Sequence, residues 1–148
     1  MAVISTTEFK VEEAVLAALA VNADLNALGV TRQRAFEGSA DVTYPVITVG
    51  ATSSHPQTYA GAVGMEDSLC EIICFTSRRD DPDTSKVNEL LGACRDTVRD
   101  ASFKAQLNGI VNFTVFGTNE IDFSRVADTN RVRVRGLTIR LLCNVSDI

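Results

Sequence analysis

Apolar positions along the chain fall into blocks whose period changes several times, and each change marks an element. Val11, Ala14, Val15, Ala18 and Leu19 recur at helical spacing, the pattern of a helix with one buried stripe. Ser5 and Glu8 have capping-box spacing, so this helix is predicted to begin near Thr6. Asn22 and Asp24 interrupt it. Asp24 is read as the cap of a further turn through Leu25 and Leu28, stopped by Gly29, a residue suited to helix C-termini. A short strand over Thr31–Phe36 and a loop over Glu37–Tyr44 follow. Pro45 has no N–H for a ladder and therefore opens the next strand, Val46–Ala51, with Ile47, Val49 and Ala51 on one face.

Thr52–Glu66 is rich in Ser, Thr, Ala and Gly, includes Gly61, Gly64 and Tyr59, and holds the only histidine, His55. It is longer than an ordinary hairpin loop. Within the strand predicted over Asp67–Thr76, the run from Leu69 to Phe75 is almost continuously apolar apart from Glu71, which predicts burial on both faces. Asp80, Asp81 and Asp83 follow in a charged turn. Asp81 is read as the cap of a second helix over Pro82–Ala101, with Pro82 at its first position. Val87, Leu90, Leu91, Cys94, Val98 and Ala101 mark its buried face; Lys86, Glu89, Asp96 and Asp100 mark its wet one.

Beyond the Asn108–Gly109 turn, Val111, Phe113 and Val115 alternate with polar residues, as in a half-buried strand. Glu120–Phe123 continues it, and Asp128, Thr129 and Asn130 turn the chain into a last strand. There Val132 and Val134 share a parity with Gly136, whereas Leu137, Ile139, Leu141 and Cys143 have the other. Either a bulge at Gly136 restores the facing, or the strand is buried on both sides beyond it. The order predicts an α+β fold: a mostly antiparallel sheet of about four to six strands, with two helices packed on one face. The expected core includes Val15, Leu19, Val49, Ile73, Phe75, Leu91, Val98, Val115 and Ile139.

Length and charge narrow the function. A chain of 148 residues suits one domain with a substantial core. Its net charge of −5 argues against strong binding to nucleic acid through phosphates. The N-terminus lacks the basic and apolar regions of a signal peptide, and no apolar run is long enough to span a membrane; assembly in a cytoplasm is expected. The cysteines at 70, 74, 94 and 143 do not form the paired clusters of a zinc site, and the Cys-x-x-Cys redox motif does not occur. They read as buried thiols, small hydrophobes in effect.

Catalytic motifs are missing as well. There is no nucleophile elbow, phosphate loop or dinucleotide fingerprint. The aspartates at 80, 81 and 83 lack the alternating ligands, Gly and distal Glu of a calcium loop and read as helix-capping groups. No catalytic residue, metal or cofactor is expected.

The clearest oddity is Arg131, Arg133 and Arg135, spaced by two on one strand face, with Arg140 beyond. Such a row is either a partner surface, because Arg pairs bidentately with carboxylates, or a solvated, charge-protected face. Residues 1–100 carry a net −7 and residues 101–148 a net +2. That asymmetry suits head-to-tail contacts between copies, which close into rings.

The order and spacing of elements resemble the tail-terminator, or tail-completion, family of long-tailed bacteriophages. The resemblance runs from Glu8 to about Val145. It lies in the helix VEEAVLAAL (Val11–Leu19), the turn DLNAL (Asp24–Leu28), the strands YPVITV (Tyr44–Val49) and CEIICF (Cys70–Phe75), the helix beginning VNELL (Val87–Leu91) and the final strand RVRVRGLTI (Arg131–Ile139). It implies a structural virion protein, assembled in the host cytoplasm, that forms a hexameric ring. The ring would cap the tail tube, stop its polymerisation and join the tail to the head connector. DNA would pass its lumen without specific binding, and no membrane is involved. Three alternatives remain: another neck or head-closure component, an adaptor outside the particle, or a small α+β enzyme or ligand-binding domain relying on His55, Cys70 or Asp83. The expected interface comprises Arg131, Arg133 and Arg135 with Asp80, Asp81 and Asp83, plus His55 and Tyr59 on the long loop at about 53–66.

Overall fold

The computed structural model describes residues 7–34, 43–54, 65–109, 114–126 and 128–144. Two helices, α1 (Thr7–Ala20) and α2 (Ala23–Leu28), lead into strands β1 (Thr31–Arg34), β2 (Val46–Ser54) and β3 (Met65–Ser77). Helices α3 (Ser85–Arg99) and α4 (Phe103–Asn108) then precede strands β4 (Thr114–Val126) and β5 (Val132–Asn144). The sheet order is β1-β2-β3-β5-β4. Only the short β1–β2 pair is parallel; the other three are antiparallel. The fold is α+β, as the pattern predicts.

The main core lies between this sheet and the helices. Val11, Ala14, Val15, Ala18 and Leu19 of α1 and Val87, Leu90, Leu91, Cys94 and Val98 of α3 are buried in one cluster. Ile47, Val49 and Ala51 meet them from β2, and Cys70, Ile72 and Cys74 from β3. These strand residues lie opposite one another in the ladder (Ile47 with Cys74, Val49 with Ile72, Ala51 with Cys70), so they share one face. Both long helices therefore pack on the same side. A smaller apolar patch occupies the other face, where Val46, Ile73 and Val134 are buried outside the main cluster.

Several expectations need adjustment. The cap of α2 is Asn22, whose Oδ1 accepts from the Leu25 N–H at 3.0 Å. Asp24 sits in the first turn instead. Asn22 Nδ2 also donates to Ala93 O and Thr97 Oγ1 (3.2 and 2.7 Å), so one amide both starts α2 and ties it to α3. Gly29 does stop α2, in left-handed backbone (φ 67°). Helix α3 begins at Ser85 and ends at Arg99, inside the predicted bounds, and Ala101 is exposed. Helix α4 was not foreseen; its Phe103 and Leu107, one turn apart, are both buried.

Strand β3 is buried on both faces only around Ile72–Cys74; Leu69 is 42% exposed and Phe75 half-buried. Strand β5 pairs with β3 without a register break from Val132 to Asn144, so Gly136 is not a bulge. The bulges lie in β4, between Val115 and Gly117 and between Ile121 and Arg125. The parity change in β5 reflects burial moving from the outer face (Val134, Gly136) to the helix face (Leu137, Ile139, Leu141). The proposed capping box at Ser5 and part of the loops at 37–42 and 53–66 lie outside the described residues. So does the side-chain environment of Val115.

Candidate subunit interface

The register decides where the arginines point. Thr76 lies opposite Arg133, Cys74 opposite Arg135, Ile72 opposite Leu137 and Cys70 opposite Ile139. All these positions share the helix face of the sheet. The arginine row therefore continues the core row of β5 past the end of the helical layer, where the turn between β3 and α3 takes over as cover.

Two of the three arginines spend their planar forks on that turn and on the β4–β5 connection. Arg133 Nε donates to Asp81 O at 3.2 Å and its Nη2 to Pro82 O at 2.8 Å. Its Nη1 reaches Asp128 Oδ2 at 3.2 Å. Arg135 Nη1 lies 2.6 Å from Asp128 Oδ1, the atom that also accepts the Val134 N–H. The Arg133 and Arg135 side chains are only 12% and 14% exposed. Arg131 is exposed; its carbonyl accepts the Arg78 N–H at 2.9 Å. The Arg135 guanidinium, with the Val134 N–H and Arg133, holds the Asp128 carboxyl down at about 2.

The acidic turn divides in the same way. Asp81 is fully buried. It accepts from Thr76 Oγ1 at 2.7 Å and from the Lys86 and Val87 N–H groups at 3.1 and 3.0 Å. It thus performs the capping role expected of it, but from four residues ahead of the helix. The true N-cap, Thr84, makes no side-chain cap bond and stands at φ 65°. That conformation is strained for a β-branched residue and persists only where neighbouring contacts hold it. Asp80 and Asp83 are exposed. Asp83 bonds the Ser85 hydroxyl and N–H (2.8 and 3.1 Å), which lowers its pKa, with Arg133 adding to the effect.

The exposed members, Arg131, Asp80 and Asp83, thus occupy one end of the sheet. Beside them a cleft of about 340 Å³ is lined by Leu28, Tyr44, Pro45, Asp80, Lys86 and Leu90. Leu28 and Tyr44 are 38% and 39% exposed, so apolar surface and charge meet here. Sequence reasoning missed this cleft, because its walls come from four separated stretches. His55 and Tyr59 lie outside the described residues.

Of the groups on which an enzyme reading relied, Cys70 is fully buried, and burial, with Glu12 and Glu71 nearby, pushes its thiol up. Asp83 is engaged with Ser85. Among the described residues no three His, Cys, Asp or Glu side chains converge as a metal set, and no helix is long and apolar enough to cross a membrane.

Comparison with known proteins agrees with the element order. No curated protein matches the chain. The family model described as Tail completion protein gp17 matches residues 13–139, a span from the first turns of α1 to the apolar half of β5. The chain belongs to the tail completion protein gp17 family of structural phage tail proteins.

Proposed function

We propose that this protein is a virion component that closes the head-proximal end of the tail: it assembles as a hexameric ring, caps the tail tube, halts its growth and receives the head connector. The observation that carries this reading is the family match across residues 13–139. Assembly takes place in the host cytoplasm, and DNA passes the lumen unheld. The acidic balance of the chain, −5, supports the last point, since a basic lumen would retain phosphates.

Copies meet at the end of the sheet carrying Arg131, Asp80 and Asp83, with the loop bearing His55 and Tyr59 as a second contact. Exposed ion pairs contribute only about 0–1 kcal/mol each. Apolar burial must therefore hold the ring, and Leu28 and Tyr44 in the adjoining cleft supply it while the charges set register. Arg133 and Asp81 support this surface from within, by holding the turn that presents Asp80 and Asp83, while Arg135 holds the β4–β5 connection through Asp128.

Mass photometry of the pure protein, alone and with isolated tail tubes, tests the reading, together with its detection in purified particles. A ring, or capture by tubes, is expected. A strict monomer that ignores tubes and is absent from particles overturns it. Particle association through the connector alone indicates a different neck component.

A further inference from the structure

We propose that Cys74 and Cys94 are a modification site: a small-molecule disulfide oxidises this thiol pair to a cross-link between β3 and α3. Their sulfurs lie 3.8 Å apart, close to van der Waals contact. Closing to the roughly 2.05 Å of a disulfide requires an approach of about 1.8 Å. The two residues are 20 positions apart, but the packing of α3 on β3 has already brought them together. No loop has to close and no element has to move across the fold. Cys70, four residues earlier on the same face of β3, lies about 13 Å along the strand and opposite Ile139 and Ala51 in the ladders. Among the cysteines whose side chains are described, the geometry therefore selects one pair.

The chemistry balances as two successive exchanges. One thiolate attacks a small disulfide, forming a mixed disulfide and expelling one thiolate. The second cysteine displaces the other half. Two protein thiols become one disulfide, and the oxidant leaves as two thiols carrying the two electrons and two protons. Both cysteines are fully buried. The hydrogen bond to Cys94, followed by burial, holds the Cys74 thiol well above its ordinary range. Because the thiolate is the attacking species, exchange proceeds through local opening of α3 and is slow. The same enclosure shields the finished disulfide from reductants. A protein made in a reducing cytoplasm thus stays reduced through folding and assembly, then locks after release into an oxidising medium. The timing rests on the virion reading above; the pairing does not.

The test uses the purified full chain, incubated for days with excess oxidised glutathione, with and without urea below the unfolding transition. Remaining thiols are then alkylated in denaturant and the peptides mapped. Expected are the loss of two alkylatable thiols, a mass lower by two hydrogens and a cross-linked peptide pair joining Cys74 to Cys94. Urea should accelerate the reaction. The thermal midpoint should rise, and dithiothreitol should reverse it. In a Cys70→Ser/Cys143→Ser background the same product forms, and adding Cys94→Ser abolishes it. If that background does not fold, the peptide map of the native chain decides. Four thiols still alkylatable in the urea arm, a stable glutathione adduct on either residue, or a different pairing overturns the proposal. The measurement is made on the protomer, so a failed ring does not affect it.

Discussion

The helix face of β5 carries two chemistries. At one end Leu137, Ile139 and Leu141 lie under the helices, buried in the main core. At the other, Arg133 and Arg135 stand on the same face and are nearly as enclosed, yet their cover is a turn and a strand connection. A helical layer has already used its backbone polar groups and offers only side chains, so it is met by apolar residues. The turn before α3 offers the free carbonyls of Asp81 and Pro82, and the connection offers the Asp128 carboxylate; both are met by guanidinium forks. The comparison shows that a strand's face is set by register and its chemistry by what covers it.

Breaking the apolar end should have the largest effect. Ile139→Ala empties a site between β5 and the helices and should destabilise by about 2–5 kcal/mol, read as a lower urea midpoint with an unchanged slope. At the other end, Asp81→Ala strips Thr76 and two helical N–H groups of a buried acceptor. A loss of about 1–3 kcal/mol is expected, with the first turn of α3 exchanging amide hydrogens fastest. An effect of Asp81→Ala as large as that of Ile139→Ala would erase the distinction between the two ends.

Asp128 sharpens the comparison through pH. Its folded pKa of about 2 lies below the ordinary value near 3.9. Its contribution to stability is therefore fully present above about pH 4 and is lost as pH falls towards about 2. Asp83 and Asp100 are shifted in the same direction. Asp128→Asn should flatten this part of the acid-unfolding profile, and at neutral pH it should cost at most about 1 kcal/mol. The smallest effect on the protomer is expected for Arg131→Glu, within about 0.5 kcal/mol of the parent. The same change should weaken assembly on tail tubes at ordinary salt. Reversing Arg133 or Arg135 does not test the interface cleanly, because inside the protomer Arg133 also holds the turn before α3 and Arg135 the β4–β5 connection.

Much of the fold was legible along the chain. The α1 and α3 stripes, the Gly29 stop and the β2 face carrying Ile47, Val49 and Ala51 follow from local period and backbone chemistry. The site was less legible. Three arginines at alternate positions announced one face, but period two cannot say whether that face meets solvent, a partner or a turn of the same chain. Asp81 read as an ordinary cap, and its burial against Thr76 depends on β3 ending beside the start of α3. Asn22 read as an interruption because its second role, bonding Ala93 and Thr97, spans more than 70 residues.

What the amino-acid order determined by itself was the inventory: which segments are helix or strand, which side of each is apolar, and the succession shared with the tail completion family. These depend on interactions within a few residues, so spacing encodes them. Tertiary structure alone decided three things: that β5 runs unbroken past Gly136, that Arg133 turns inward to the carbonyls of Asp81 and Pro82, and that Cys74 meets Cys94. Each depends on two distant segments arriving at one place, and local spacing does not record that meeting.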